Sequence, residues 1–256
     1  MIAGRGVDFV KLYTLLPKDA ALGAMAEAIR QDLKVVGHLP ASLDLDAALL
    51  HGMSGIEHMA VEVGGLCDAS DPADPCADVF ARIRKAGVAL TPTLIVRKRR
   101  TLLNQPGILD RARVDDMPDI VAEDWLARRQ QALDALGAAD WRDRRAQFER
   151  ELALTARAIR ADTLVLAGTD AGDLFVPPGA SLHDELALLV EAGMSEMRAL
   201  RAATTDSTTV LGLADRGVIR AGAKADLVIL GSDPLQDIEN TGDIEFVILG
   251  GTLLAP

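Results

Sequence analysis

The chain has 256 residues, of which 49% are hydrophobic and 25% charged, and its formal net charge at pH 7 is −11. This length and composition are typical of a folded globular protein with a sizeable core and argue against disorder. The acidic balance argues against a nucleic-acid partner, since phosphate binding requires a basic surface. The sequence has no signal segment and no apolar run of about 18 residues, so we expect a cytoplasmic protein without a membrane partner.

The first part of the chain alternates between two kinds of apolar pattern. Strands are predicted at 6–13, 34–40, 55–59, 88–96 and 162–170, and helices at 17–32, 42–50 and 74–86. Ser42 is a suitable N-cap for the second helix, Asp44 and Asp46 suit its first turn, and Gly87 ends the third helix. Strands that alternate with helices through short loops predict a parallel sheet covered by helices.

The two cysteines, Cys67 and Cys76, lie in the loop sequence CDASDPADPC. Their spacing matches no zinc or redox pair, and two cysteines are too few for a disulfide framework. We therefore expect free thiols, as is usual in a reducing cytoplasm.

The alternation breaks between Arg97 and Ala161, where Arg, Asp and Glu are dense and both tryptophans occur. This segment predicts several amphipathic helices inserted between two strands. Such an insertion usually lies over the strand ends as a lid or a subunit contact. Because acidic residues interleave with its arginines, we favour a solvated face over a binding patch.

The last part of the chain changes character. Helices are predicted at 181–191 and 195–203, and from Gly217 short apolar segments with frequent glycine predict a small β module. We place the boundary near Leu213, which divides the chain into 1–213 and 214–256.

Four ligand-type side chains stand at the carboxyl ends of predicted strands. The segment LVLAGTDAG, residues 164–172, is a buried strand that delivers Asp170 onto a glycine-flanked turn, and Lys11, His38 and His58 end three other strands. Singly, each has a structural explanation: a surface lysine, a core histidine, a turn aspartate. Together they fit a metal site, because imidazoles and carboxylates are the usual ligands of zinc and similar ions.

These residues stand in motifs that resemble the amidohydrolase superfamily, in its imidazolonepropionase and Xaa-Pro dipeptidase-like branch. The matching motifs, in the family's order, are FVKLY, VVGHLP, GIEH, LAGTDAG, SLHDELALLVEAGMSEMRALRAAT and GVIRAGAKADLVILGSDPL. The resemblance implies an α/β fold, the C-terminal part of a (β/α)₈ barrel plus a small β-sandwich module. It further implies a metal centre that activates water to hydrolyse amide, dipeptide or cyclic amide C–N bonds of a small substrate.

The resemblance also implies roles for individual residues. Lys11 is similar to a lysine whose carboxylated side chain bridges two metals, and His38 and His58 to the pair that holds one of them. Asp170 is similar to the carboxylate that binds the other metal and takes a proton from the attacking hydroxide. His183 matches a histidine that contacts substrate or supports the site; the alternative is a first-turn helix residue facing water. One or two divalent ions are implied, zinc first, with manganese, iron and cobalt left open.

The chain departs from the family pattern at its start. No HxH pair, which would complete the first metal site, occurs in the sequence, and the chain opens at what corresponds to the fourth barrel strand. We therefore expect a C-terminal portion with impaired activity. The alternative function is a non-catalytic amidohydrolase-like fragment that acts as an assembly or interaction module. A nucleotide-binding protein is disfavoured because no glycine-rich phosphate loop follows a strand. Substrate identity and association between copies are left open.

Overall fold

The structure, a computed structural model, describes residues 6–59, 63–67 and 76–254. The chain forms two compact units, and each draws on separate stretches of the sequence. The first comprises Met1–Pro92, Leu154–Leu166 and Thr209–Gly212, and the second comprises Thr93–Ala153, Ala167–Thr208 and Leu213–Pro256. The proposed boundary near Leu213 stays a prediction.

The first unit is built on short parallel strands. They are β1 (Phe9–Leu12), β2 (Lys34–Gly37), β3 (Gly55–Glu57), β4 (Ala89–Thr91) and β5 (Leu164–Val165). β1 pairs with β2, and β3, β4 and β5 pair in that order, while a bridge between Val35 and Met53 joins the two groups. All the pairings are parallel, so the predicted parallel sheet is confirmed. Its strands therefore end at one edge.

Three helices connect these strands, namely α1 (Lys18–Arg30), α2 (Leu45–Leu50) and α3 (Ala77–Ala86). α1 buries Ala21, Met25 and Ala28, which recur at helical spacing. Gly87 ends α3 with φ +69°, as predicted. The predicted start of α3 at Asp74 lies outside the described residues.

The prediction of Ser42 as the cap of α2 is wrong. The side chain of Asp44 accepts a hydrogen bond from the Ala47 N–H at 2.7 Å, whereas Ser42 Oγ donates to the Leu16 carbonyl at 2.7 Å. Residues before Asp44 form a turn in which the Leu43 N–H bonds to the Pro40 carbonyl, so the helix begins later than its polar residues suggested.

All five observed strands are shorter than predicted, and the last two differ most from the prediction. β4 ends at Thr91, Thr93 takes φ +53°, and a helix α4 (Leu94–Thr101) follows, so the apolar residues 94–96 are helical. A short apolar run fits a buried strand and a buried helix equally well. β5 covers only Leu164–Val165, and Asp170 has φ +53°, which an extended strand does not allow.

The second unit is mainly helical, as the insertion predicted. Besides α4 it contains α5 (Ile108–Arg111), α6 (Asp119–Ala135), most of α7 (Ala138–Arg160), α8 (Ala180–Glu191), α9 (Glu196–Ala203) and most of α10 (Thr205–Leu211), a helix the sequence patterns did not indicate. Its core cluster includes Trp125, Trp141 and Phe175. Arg99 is only 2% exposed, so the expected fully solvated arginine face is wrong at that position. No helix in the described part of the chain is long and apolar enough to cross a membrane.

The C-terminal segment forms a small antiparallel sheet in the order β6 (Leu227–Leu230), β7 (Ile244–Leu249), β8 (Thr252–Leu254). A short 3₁₀ helix, Ile238–Gly242, precedes β7 and packs against α8.

The expectation of free thiols is also wrong. Cys67 and Cys76 form a disulfide with their Cα atoms 4.4 Å apart. A Cα separation of 4.4 Å lies within the range that a disulfide requires. The spacing of the two cysteines in the sequence does not reveal this bond.

Candidate functional site

Lys11 lies on β1, one residue from its carboxyl end. Its ammonium forms an ion pair with the Glu57 carboxylate of β3 at 2.8 Å. The side chains are 33% and 24% exposed, so solvent reaches both of them. Lys11 Nζ also stands 5.5 Å from the ring centroid of Tyr13. The ion pair thus holds the lysine at the carboxyl ends of the strands.

His38 follows β2 directly, and a glycine sets its position. Gly37 has φ +115°, and a Cβ there would approach the Leu12 carbonyl oxygen to 2.4 Å, so only glycine fits. The His38 N–H then donates to the Leu12 carbonyl at 3.1 Å. Its Nδ1 lies 2.7 Å from Thr14 Oγ1. A hydrogen bond at Nδ1 orients the ring so that Nε2 is the nitrogen through which His38 would bind a metal.

His58 follows β3 in a left-handed backbone conformation with φ +67°. Its N–H donates to the Thr91 carbonyl at 2.9 Å. The centroids of the His38 and His58 rings are 4.9 Å apart with an interplanar angle of 83°, and the Tyr13 ring stacks on His38 at 4.8 Å. A positive φ at a residue other than glycine is uncommon and concentrates at functional sites. The short distance between the two rings shows that the structure brings the two predicted histidines together.

The donor set of this cluster fits a divalent metal in part. Two imidazoles are zinc ligands, but a lysine becomes an oxygen ligand only when CO₂ has added to its amine. Within the described ranges, no group of three or more His, Cys, Asp or Glu side chains is placed to hold a metal ion. A third ligand therefore depends on Lys11, whose carboxylated form would carry a negative charge and could not keep its ion pair with Glu57.

Asp170 and His183 belong to the second unit and are described within it. Asp170 is exposed, and its carbonyl accepts a hydrogen bond from the Asp173 N–H at 3.1 Å in the turn after β5. Its φ of +53° directs the chain sharply around this residue. The proposed partnership of Asp170 with the histidines stays a prediction.

His183 lies on α8 and is half-buried. Its Nδ1 is 3.0 Å from Thr241 Oγ1, and the same hydroxyl donates to the Ile238 carbonyl at 2.8 Å. A hydroxyl has one proton, so Thr241 must accept from His183 Nδ1–H. In the neutral ring, this bond leaves the lone pair on Nε2. The choice between a role in the site and a first-turn helix residue that faces water stays a prediction.

Replacing Thr241 with valine should remove the hydrogen bond that favours the Nδ1–H tautomer of His183. Without the acceptor, Nε2–H should become the main neutral form of His183, as it is in free histidine, and the unfolding free energy should fall by about 1 kcal/mol. Two-bond ¹H–¹⁵N spectra of the ring report the tautomer directly. Thr241→Ser, which keeps the hydroxyl, is the control; an unchanged tautomer in Thr241→Val would contradict the assignment.

The two residues after His183 are also fixed by hydrogen bonds. Asp184 forms an ion pair with buried Arg99 at 2.6 Å. Glu185 is fully buried, and its carboxyl oxygens accept from the N–H groups of Leu94 and Ile95 at 3.0 and 2.8 Å. Burial raises the pKa of Glu185 to about 8, against the two N–H bonds, which act to lower it. Glu185 therefore caps the N-terminus of α4, because it accepts hydrogen bonds from two N–H groups at the start of that helix.

The sequence patterns missed the supporting residues of the cluster. Tyr13 lies two residues from Lys11, so the strand period of two predicts that they share a face, and Glu57 directly precedes His58. Thr14 carried no signal, because its contact with His38 joins two strand ends that are distant in sequence.

The comparisons with known proteins agree with this architecture. A family model described as the amidohydrolase family matches residues 14–254. Among solved structures, a bottromycin amidohydrolase is 27% identical with a TM-score of 0.77, covering 99% of this chain and 57% of that one. No curated protein matches the chain in sequence.

Two further solved structures share the fold. A Xaa-Pro dipeptidase with bound methionine in its active site is 20% identical with a TM-score of 0.67, covering 99% of this chain and 56% of that one. A putative prolidase from Bifidobacterium longum is 22% identical with a TM-score of 0.70, covering 99% and 57%. The chain therefore spans little more than half the length of these proteins.

Proposed function

Because the chain belongs to the amidohydrolase family, we propose that it is part of a metal-dependent hydrolase acting on the C–N bond of a small amide, dipeptide or cyclic amide. The observation that carries this proposal is the cluster at the carboxyl ends of β1, β2 and β3. His38 and His58 meet there, at 4.9 Å between ring centroids, and Lys11 stands on the neighbouring strand. Ligands bind at this end of parallel strands in α/β folds.

The architecture proposed with this function is a partial (β/α)₈ barrel and a β-sandwich segment. The order β1 to β5 with intervening helices supports the first, and the antiparallel sheet of β6 to β8 supports the second. The solved relatives support the same superfamily fold. Any further strands of the barrel, and the closure of its sheet, are part of the proposal.

The residues that would hold a metal are His38, His58 and a carboxylated Lys11. A divalent ion bound there would lower the pKa of water to about 7 and so would supply a nucleophile at neutral pH. Thr14 orients His38 through Nδ1, and Glu57 keeps Lys11 at the site before CO₂ adds. Asp170 would take a proton and pass it to the leaving nitrogen, and His183 Nε2 would accept a hydrogen bond from substrate.

A hydrolysis assay of the zinc-loaded chain tests this proposal. Suitable substrates are Xaa-Pro dipeptides, N-acyl amino acids and cyclic amides, with bicarbonate present for Lys11. We expect slow turnover that chelation abolishes and that Asp170→Asn lowers at least 100-fold, since proton transfer by a placed group contributes about 10²–10⁴. Asp119→Asn, an exposed position at the start of α6, is the control.

Each other outcome has a distinct meaning. Turnover that survives chelation or the Asp170 variant would contradict the metal-dependent mechanism. Fast turnover in a monomer would contradict the expected impairment. A chain that neither binds zinc nor hydrolyses any of these compounds would favour the non-catalytic alternative.

A further inference from the structure

The helical part of the second unit contains a cavity with three arginines in its wall. The cavity has a volume of about 340 Å³ and is lined by Arg97, Arg100, Leu136, Asp140, Asp143, Arg144 and Gln147. All of these residues belong to α4, to α7 or to the link between α6 and α7. The volume lies at the lower end of the range for small-molecule sites.

The three arginines differ in how their charge is compensated. Arg97 forms an ion pair with buried Glu151 at 2.9 Å, and Arg100 forms one with Asp173 at 2.8 Å. Among the residues that the structure describes, Arg144 forms no ion pair: its guanidinium donates to the Arg100 carbonyl at 3.3 Å and lies 5.3 Å from the Trp141 ring. The partners in these two contacts are a carbonyl and an aromatic ring, so neither places a carboxylate against the positive charge of Arg144.

The surroundings of Arg144 disfavour its charge. Partial burial, and then the nearby charge of Arg100, lower the pKa of Arg144, while Asp140 acts in the opposite direction. Asp140 itself accepts a hydrogen bond from the Gly137 N–H at 2.8 Å. The disfavoured charge of Arg144, with the guanidinium of Arg100 on the same cavity wall, indicates a place where an anion would be stabilised.

We propose that this cavity binds the carboxylate of a small organic acid through the guanidinium of Arg144, reinforced by the charge of Arg100. A guanidinium offers two parallel N–H donors that match a carboxylate. A monoanion is favoured over phosphate because Asp140 and Asp143 in the wall would repel a second negative charge. Leu136 provides apolar wall for an aliphatic group. This site is independent of the proposed hydrolase centre.

Titration of the full chain with isovalerate, isovaleramide and inorganic phosphate, at constant ionic strength, tests the site. Binding is measured by calorimetry and by the fluorescence of Trp141, which Arg144 overlies. We expect saturable binding of isovalerate that is at least tenfold weaker in Arg144→Gln. The neutral isostere isovaleramide should bind at least tenfold more weakly than isovalerate, and phosphate no more tightly.

The control is Arg145→Gln, which removes the same charge from an exposed position on the same helix and should change the affinity less than twofold. Arg144→Lys keeps the positive charge but lacks the two parallel N–H donors of the guanidinium, so it should give an intermediate affinity. If Arg144→Gln fails to fold, Arg144→Lys takes its place in the test. Absence of saturable binding, equal affinity in Arg144→Gln and the Arg145 control, or equal binding of the amide would overturn the proposal. Tighter binding of phosphate would overturn the carboxylate assignment.

Discussion

Replacing Glu185 with alanine should lower the free energy of unfolding by about 3 kcal/mol or more, the largest stability effect that we expect from one substitution in the second unit. The side chain is fully buried and accepts hydrogen bonds from the first two N–H groups of α4, those of Leu94 and Ile95. Helix N-termini leave such donors without partners inside the helix. Alanine would leave both donors buried and unbonded, and would add a cavity.

Replacing Glu185 with glutamine should separate the contribution of its hydrogen bonds to stability from that of its ionisation, because glutamine accepts hydrogen bonds but does not titrate. Its amide can accept through one oxygen only, so one of the two N–H groups loses its acceptor, at a cost of about 1–2 kcal/mol. Hydrogen exchange should therefore accelerate at the Leu94 and Ile95 amides in Glu185→Ala and less so in Glu185→Gln. Glu191→Gln, an exposed change on the same helix, is the matched control and should have little effect.

The pH dependence of stability follows from the raised pKa of Glu185. Burial first, and the carboxylates of Glu151 and Asp184 after it, hold this pKa at about 8 against an ordinary value of 4.5. A raised pKa in the folded state means that the folded protein binds the proton more tightly. The contribution of the group to stability is therefore complete below pH 4.5 and is lost as the pH rises through 8. The slope is at most about 1.4 kcal/mol per pH unit.

Denaturant titrations of the wild type and Glu185→Gln between pH 5 and 9 measure this difference. The stability of the wild type relative to the glutamine variant should decline across that range, because glutamine does not titrate. A constant difference would show that Glu185 is ionised throughout and that its two N–H bonds outweigh its burial.

The parallel strands of the first unit were predictable because each carries a local signal. Apolar segments such as KVVG end at turn residues, and parallel strands end at one edge of the sheet, so the proximity of His38 and His58 followed from the pattern. Gly37 shows why the site needs that local sequence, since no larger residue fits against Leu12.

The remaining features depend on contacts between distant segments. The run Leu94–Val96 is apolar like a strand and becomes helical where Glu185, about ninety residues later, binds the helix N-terminus. Arg99 is buried because Asp184 from the same distant helix pairs with it. No local periodicity reports such partners, and the same holds for the disulfide.

The candidate metal cluster gives the second large prediction. Incubated with zinc and bicarbonate, the purified chain should bind roughly one zinc ion, because two imidazoles and a carboxylated lysine provide three ligands of a kind that zinc accepts. His38→Ala and His58→Ala should each reduce the zinc content at least tenfold. His51→Ala is the matched control, since this exposed histidine at the end of α2 has no predicted role in the cluster.

Two further variants separate ligand loss from damage to the fold. Asparagine tolerates the φ of +67° that His58 adopts, so His58→Asn should keep the backbone and lose the zinc. Lys11→Arg keeps a positive charge opposite Glu57 but cannot add CO₂, so it should fold normally and bind zinc more weakly. Elemental analysis together with size-exclusion chromatography measures both effects.

The pattern across these variants identifies the ligands. If zinc is lost in both histidine variants and weakened in Lys11→Arg, the cluster binds the metal through all three residues. If Lys11→Arg binds zinc as the wild type does, the lysine serves only as the ion-pair partner of Glu57, and the third ligand must come from elsewhere. Zinc retained in both His38→Ala and His58→Ala would contradict the metal site, because the 4.9 Å separation of the two rings would then have no ligand role.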